Sequence, residues 1–130
     1  MSQENGDLVQ RALEDFEGTG EPADWWLDDD AVIRDHDLPD ASSYRGRQGF
    51  VDWMASWSSA WSEWHVEPHG FRASGDKVVY LLQLHATGRA SGLALERNDA
   101  IVYRIGNGKI VEIDYFNDQA EALEAAGLAE

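Results

Sequence analysis

The chain has 130 residues, of which 43% are hydrophobic and none is cysteine. This length predicts a single domain over residues 1–130, with an ordered core from about Leu8 to Leu128. Lys and Arg number 10 against 25 Asp and Glu, so the net charge is -15. Such a surface repels phosphate and anionic lipid, which argues against nucleic-acid and membrane partners. Without cysteine there is no disulfide, thiolate zinc site or cysteine nucleophile. The polar N-terminus and the lack of a long apolar run predict a soluble, cytoplasmic protein.

The N-terminal segment contains apolar residues at helical spacing. They predict a helix over about Leu8–Phe16, which ends before Gly18 and Gly20. Pro22 favours a short second helix over Pro22–Leu27. The acidic run Asp28–Asp30 is interpreted as the solvated turn that ends this helix, in preference to a metal site.

A strand and a tryptophan-rich helix follow. The strand is predicted over Ala31–Asp35, and Leu38–Ser43 is predicted as a loop. The next helix is predicted over Arg47–Trp61, because its apolar residues fall on one stripe: Phe50, Trp53, Met54, Trp57 and Trp61. Several tryptophans on one stripe require a large concave partner.

The C-terminal half shows the pattern of a sheet. Segments separated by turn signals predict four antiparallel strands: Trp64–Ser74, Lys77–Thr87, Leu93–Ile105 and Lys109–Phe116. A last helix is predicted over Gln119–Ala126, with Asp118 as its N-cap and Gly127 as its C-cap. This order of elements predicts an α+β fold with helices packed on one face of the sheet.

Three segments resemble the SnoaL-like polyketide cyclase domains: Tyr44–Gly49, Gly88–Gly92 and, most closely, Asn107–Leu128. The resemblance extends over Leu8–Leu128. It implies the nuclear transport factor 2-like fold, a cone-shaped curved sheet wrapped around N-terminal helices that leaves a conical cavity. It also implies a homodimer through the outer sheet face, with residues such as Val102 covered by the partner. The superfamily includes isomerases, cyclases, hydrolases and non-catalytic binding modules, so the resemblance implies no single reaction.

Asp35 is the leading candidate for a catalytic base. Its segment resembles the one that carries the general base of ketosteroid isomerases, and an apolar cavity favours proton uptake by a carboxylate. The alternative, which we favour, is a turn carboxylate that caps the loop toward Asp40. In the same register Arg11 and Ile101 fall where the isomerases carry their oxyanion donors. Ile101 offers no donor, so steroid isomerisation is not expected.

Strand alternation places further candidates on the cavity face. On the third long strand these are Arg97, Asp99, Ile101, Tyr103 and Ile105. The Arg97–Asp99 pair has the internal spacing of the pair that positions water in epoxide hydrolases of the superfamily. The preferred interpretation is an ion pair at the sheet rim that adds little stability.

The remaining candidates come from the last strand, the histidines and the tryptophans. The resemblance implies that Ile113 and Tyr115 point inward. We expect His36 at the cavity mouth, where it would partner Asp35 or Asp99. Trp26, Trp53 and Trp57 would line an aromatic pocket, although core packing is the preferred interpretation for Trp53 and Trp61.

Two classes of function remain open. The first is an acid–base enzyme that acts on a small hydrophobic molecule, with Asp35 as base and Asp99, His36 and Tyr115 orienting or donating. The second is a non-catalytic module that binds such a molecule or serves as a dimeric interaction domain. No histidine forms a ligand set with converging neighbours, so neither a metal nor an organic cofactor is expected.

Overall fold

The computed structural model describes residues 2–36 and 43–128. Its elements in chain order are α1 (Ser2–Thr19), β1 (Leu27–Asp35), β2 (Ser43–Arg45), α2 (Gly46–Ser58), β3 (Trp61–Ser74), β4 (Lys77–Gly88), β5 (Ala94–Gly106), β6 (Lys109–Phe116) and α3 (Gln119–Ala125). No helix among these residues is both long enough and apolar enough to cross a membrane.

The strands form one mixed, curved sheet of six strands in the order β2-β1-β6-β5-β4-β3. β3 to β6 make an antiparallel meander, as predicted. β1 pairs with β6 in parallel and places Asp35 opposite Tyr115. The β5–β6 turn has positive φ angles at Asn107 and Gly108, which suit a tight hairpin. The predicted α+β class is confirmed.

The prediction that the helices pack on one face of the sheet is wrong, because they cover both faces. α1 and α2 pack on the inner face, where the main core includes Val9, Ile33 and Leu82. α3 packs on the outer face, where Ala122 and Ala126 join a smaller cluster that contains Val102. Val102, which we expected a partner copy to cover, is therefore covered by α3 of its own chain.

The predicted helix over Pro22–Leu27 is wrong. The backbone amides of Trp26 and Leu27 both donate to the carbonyl of Ala23, which closes one turn and no more. β1 then begins at Leu27, which pairs with Ile110 of β6, so the acidic run Asp28–Asp30 belongs to the strand. Asp29 and Asp30 are exposed to solvent, so the strand can carry their charges.

The other boundaries differ less. α1 contains the predicted helix and ends before Gly20, whose φ is positive. α2 ends at Ser58 and not at Trp61, and the Ser58 and Ser59 hydroxyls donate to backbone carbonyls of its last turn. Trp61 is the first residue of β3. A loop was predicted over Leu38–Ser43. Residues 38–42 of this prediction lie outside the described residues, and Ser43 is the first residue of β2.

Candidate functional site

A cavity of about 540 Å³ lies between α1, α2 and the inner face of the sheet. Its wall is largely apolar and aromatic, and includes Phe16, Phe50, Trp53, Met54, Trp57, Ile101 and Ile113. The polar residues of the wall include Glu17, Tyr80, Tyr103 and Tyr115. A concave apolar wall with few polar groups is the usual form of a small-molecule site. More open, more polar depressions occur at the outer sheet face and beside the N-terminal turn of α1.

Asp99 is the centre of a buried ionic network next to this cavity. Its side chain is fully buried, whereas that of Arg97 is 25% exposed. Arg97 donates from Nε to Oδ1 at 2.6 Å and from Nη2 to Oδ2 at 3.0 Å. The Tyr115 hydroxyl also donates to Oδ2. The expectation of a weak pair at the sheet rim is therefore wrong, because the carboxylate lies in the interior, where an uncompensated charge is costly.

Gln119 attaches the start of α3 to the backbone of the same region. Its Nε2 donates to the carbonyl oxygens of Leu82 at 3.2 Å and Asp99 at 3.1 Å. These bonds connect neighbouring strands β4 and β5 at the residue that carries the buried carboxylate. Gln119 was not among the predicted site residues, and its position directly after the N-cap Asp118 was the available signal.

Asp35 is the second buried acid, with 1% of its surface exposed. Trp53 of α2 donates from Nε1 to Asp35 Oδ2 at 2.8 Å. Trp53 and Tyr115 line the cavity and lie with ring centroids 6.1 Å apart. Each of these aromatic residues therefore presents a ring to the cavity and donates to a carboxylate, Asp35 in one case and Asp99 in the other. The alternative role of Asp35, a cap toward Asp40, falls outside the described residues.

The tyrosines of the cavity are protonated at neutral pH. Burial raises the pKa of Tyr115 far above its usual value, and the negative charge of Asp99 raises it further, while Arg97 opposes the shift. Burial likewise raises the pKa of Tyr103. The pKa of Tyr80 is also raised, first by burial and then by Glu17. These phenols can donate or accept hydrogen bonds, but they do not serve as bases.

His36 does not partner Asp35 or Asp99 in the contacts of the described residues, contrary to expectation. Its ring stacks on Phe116 with centroids 4.4 Å apart, and its Nε2 lies 2.8 Å from Asp114 Oδ1. The physical reason is strand alternation, since neighbouring residues of β1 point to opposite faces. Arg34 shares Asp114 on the same outer face.

The predicted pocket residues divide into two groups. Those that line the cavity are Trp53, Trp57, Ile101, Tyr103, Ile113 and Tyr115. Trp26 instead belongs to the core, where it packs on Phe16 and Phe50 and donates from Nε1 to Asp15 Oδ2 at 3.0 Å. Arg97 is not part of the cavity wall, and its guanidinium forms an ion pair with Asp99. Tyr80 was not predicted. It lies two residues before Leu82 on β4, so strand alternation places both side chains on the same, inner face.

No group of three or more His, Cys, Asp or Glu residues that could hold a metal ion occurs within residues 2–36 and 43–128. His85, whose orientation the sequence left open, lies on the outer face. It stacks on His65 with centroids 4.6 Å apart and contacts Glu67 and Glu96. His85, Glu67 and Glu96 do not line the cavity, whereas His65 also borders it at one edge of the sheet.

Comparison with known proteins places this geometry in context. The family model of the SnoaL-like domain matches residues 9–113. An NTF2-like protein of unknown function from Burkholderia pseudomallei K96243 is 20% identical, with 95% of this chain and 97% of that chain covered and a TM-score of 0.75. A protein assigned to the SnoaL-like polyketide cyclases from Jannaschia sp. CCS1 is 19% identical, with 99% and 94% covered and a TM-score of 0.71.

TerC, co-crystallised with polyporic acid, is 15% identical, with 95% of this chain and 97% of that chain covered and a TM-score of 0.68. Identities this low show a common fold, and a fold alone does not define a reaction. No protein of curated function matches the chain at a significant level.

Proposed function

The chain belongs to the SnoaL-like domain family, and because that fold serves several reactions, we propose its function from its own cavity. The protein binds a small, flat, apolar molecule, aromatic or polycyclic, between α1, α2 and the sheet. The observation that carries this proposal is the apolar, aromatic-walled cavity of about 540 Å³.

The size and the wall of the cavity favour a ring system. Ligand pockets have volumes of roughly 300–1,000 Å³, so the cavity has room for a compound of a few fused rings. Rings of Trp53 and Trp57 offer edges and faces to a flat ligand, and each such aromatic contact contributes about 0.5–1.5 kcal/mol beyond area burial. TerC, which has the same fold, was co-crystallised with polyporic acid, and this supports a small-molecule ligand by analogy.

Charge in the cavity disfavours an anionic ligand. Its wall includes the carboxylate-bearing Glu17, and the guanidinium of Arg97 is engaged by Asp99. An anionic ligand would therefore meet no lysine or arginine among the described residues of the wall, at a large desolvation cost.

A second candidate is acid–base catalysis on the bound molecule, with Asp35 as base and with Asp99 and Tyr115 orienting the ligand. This candidate requires Trp53 to move, because Asp35 is 1% exposed, accepts from Trp53 Nε1 and is not among the described residues that line the cavity. His36 has no part in this candidate, because it lies on the outer face. The homodimer stays a prediction, and light scattering after size-exclusion chromatography measures it.

The proposal is tested by thermal shift with polyketide-like, terpenoid and steroidal compounds. A ligand at 100 times its Kd stabilises the folded state by about 2.7 kcal/mol. Met54→Trp fills the cavity and should abolish the shift. Val51→Trp, on the exposed side of the same helix, is the matched control and should retain it. If a hit stabilises both variants equally, the ligand binds elsewhere and the proposal is wrong.

Asp35→Asn separates the two candidates. If the hit is chemically converted by the native protein and only bound by Asp35→Asn, the enzyme candidate is supported. If neither protein converts any hit and both bind it equally, Asp35 is not a base and the protein is a binding module.

A further inference from the structure

The cavity has an acidic rim. Glu17 is the one carboxylate among the described residues that line the cavity, and no lysine or arginine accompanies it there. Glu17 is exposed to solvent, and so is Gly20, which also lines the cavity. Both residues therefore lie at an opening of the cavity, and this edge is its rim. A ligand that enters here passes a carboxylate before it reaches the apolar wall.

The negative charge of the rim is not neutralised by the protein. Among the described residues Glu17 belongs to no ion pair, and Arg47 of α2 pairs instead with Glu21 and Asp24. The last turn of α1, which contains Glu17, has no basic residue. Its terminal carbonyl groups carry a partial negative charge that adds to that of the carboxylate. The field reaches the wall, because burial raises the pKa of Tyr80 and the charge of Glu17 raises it further.

The aromatic wall is suited to a positive charge as well. Eight Phe, Tyr and Trp residues line the cavity, among them Tyr80 and Phe16, which directly precedes Glu17. The faces of aromatic rings attract organic cations, so a positive group close to Glu17 has rings and not a second cation beside it. Rim and wall thus favour the same sign of charge on a ligand.

We propose that the cavity takes a ring compound that carries a protonated amino group. The ring system packs on the aromatic wall, and the ammonium group lies beside Glu17 at the rim. This inference rests on the proposed function, because it names the class of ligand that the same cavity binds. At the exposed rim the ammonium group stays partly hydrated, which avoids the cost of burying a charge. The net charge of -15 also attracts such a cation to the protein from a distance.

The experiment compares three compounds that share one carbon skeleton and differ at carbon 2: 2-aminotetralin, 2-tetralol and tetralin-2-carboxylate. Isothermal titration calorimetry is done at about pH 8, where histidine is neutral and an aliphatic amine is protonated. At low ionic strength the amine should bind about fivefold more tightly than the alcohol, and the alcohol more tightly than the carboxylate. The advantage of the amine should shrink in about 0.5 M NaCl, because salt screens a charge pair at an exposed rim.

Two glutamine variants separate the rim from the charge of the whole protein. Glu17→Gln should lower the affinity for the amine to that for the alcohol and leave the affinity for the alcohol unchanged. Glu124→Gln is the matched control, because it removes the same charge at an exposed position of α3, on the outer face of the sheet. It should retain the advantage of the amine. Met54→Trp, which fills the cavity, should abolish binding of all three compounds.

Three results would count against the inference. Equal affinities of the native protein for amine and alcohol would overturn it, and so would an equal loss of amine affinity in both glutamine variants. In either case the proposed function stands if the alcohol binds and Met54→Trp abolishes that binding. Amine binding that survives in Met54→Trp lies outside the cavity and also overturns the inference. If none of the three compounds binds, the proposed ligand class fails, and this inference fails with it.

Discussion

Removal of the countercharge of Asp99 should destabilise the fold severely. In Arg97→Met, the buried carboxylate keeps the hydrogen bond from Tyr115 and loses both hydrogen bonds from the guanidinium. Breaking one side of a buried ion pair costs about 3–5 kcal/mol. We expect the lower end, about 3 kcal/mol, because Tyr115 remains as a donor.

The loss should be visible as a change in melting temperature. A chain of 130 residues has an unfolding entropy of about 0.27 kcal/mol per kelvin, so about 3 kcal/mol corresponds to a fall of about 11 °C. The free energy of unfolding is measured by urea titration at pH 7, followed by tryptophan fluorescence.

A double-mutant cycle identifies the cause of that loss. Asp99→Asn removes the buried charge and keeps an oxygen that can accept from Tyr115. The variant with both substitutions should therefore be more stable than Arg97→Met alone, by about 1–2 kcal/mol. If Arg97→Met costs less than about 1 kcal/mol, the pair behaves like an exposed one, and the reasoning from burial is refuted. The same conclusion follows if the second substitution brings no recovery.

Two further predictions concern the frame of the site. Gly46→Ala should destabilise the protein by at least about 1 kcal/mol in urea unfolding, because its φ is +73° and an added Cβ would lie 2.7 Å from the carbonyl oxygen of Asp29. Gly18→Ala, at an open position of α1, should be neutral or stabilising, and an equal loss in both would contradict the steric argument. For Glu112, the hydrogen bond from Arg104 lowers its pKa below the usual 4.5. Its contribution is therefore present above about pH 4.5 and is lost as the pH falls through the lowered value. Because this pair is partly exposed, Glu112→Gln should cost less than about 1 kcal/mol at pH 7 and nothing near about pH 2, and a constant difference across this range would exclude the ion pair as its cause.

The sequence was sufficient wherever local chemistry determines the structure. β6 has the predicted bounds, Lys109–Phe116, because a hairpin turn precedes it and the cap Asp118 follows it. Asp118 accepts from the amides of Ala120 and Glu121, as an N-cap should. Strand alternation also placed Asp99 and Tyr103 on the inner face correctly.

The features that could not be predicted depend on how segments far apart in the sequence pack together. The hydrogen bond from Trp53 to Asp35 depends on how α2 is oriented about its own axis relative to β1. No local sequence pattern determines that orientation. The pairing of β1 with β6 extended the strand back to Leu27, where propensity favoured a helix. The outward position of His36, by contrast, follows from strand alternation, because its neighbour Asp35 points to the inner face.

The place of β1 between β2 and β6 also determines the order in which the site can form during folding. The contact of Arg34 with Asp114 joins residues 80 positions apart, whereas the meander from β3 to β6 is built from hairpins. Closing so long a loop carries an entropic cost that local hairpins avoid. The meander can therefore assemble early, with Asp99 and Tyr115 already neighbours. Asp35 reaches its position opposite Tyr115 only when β1 pairs with β6, so the two buried acids come together through a contact between residues 80 positions apart.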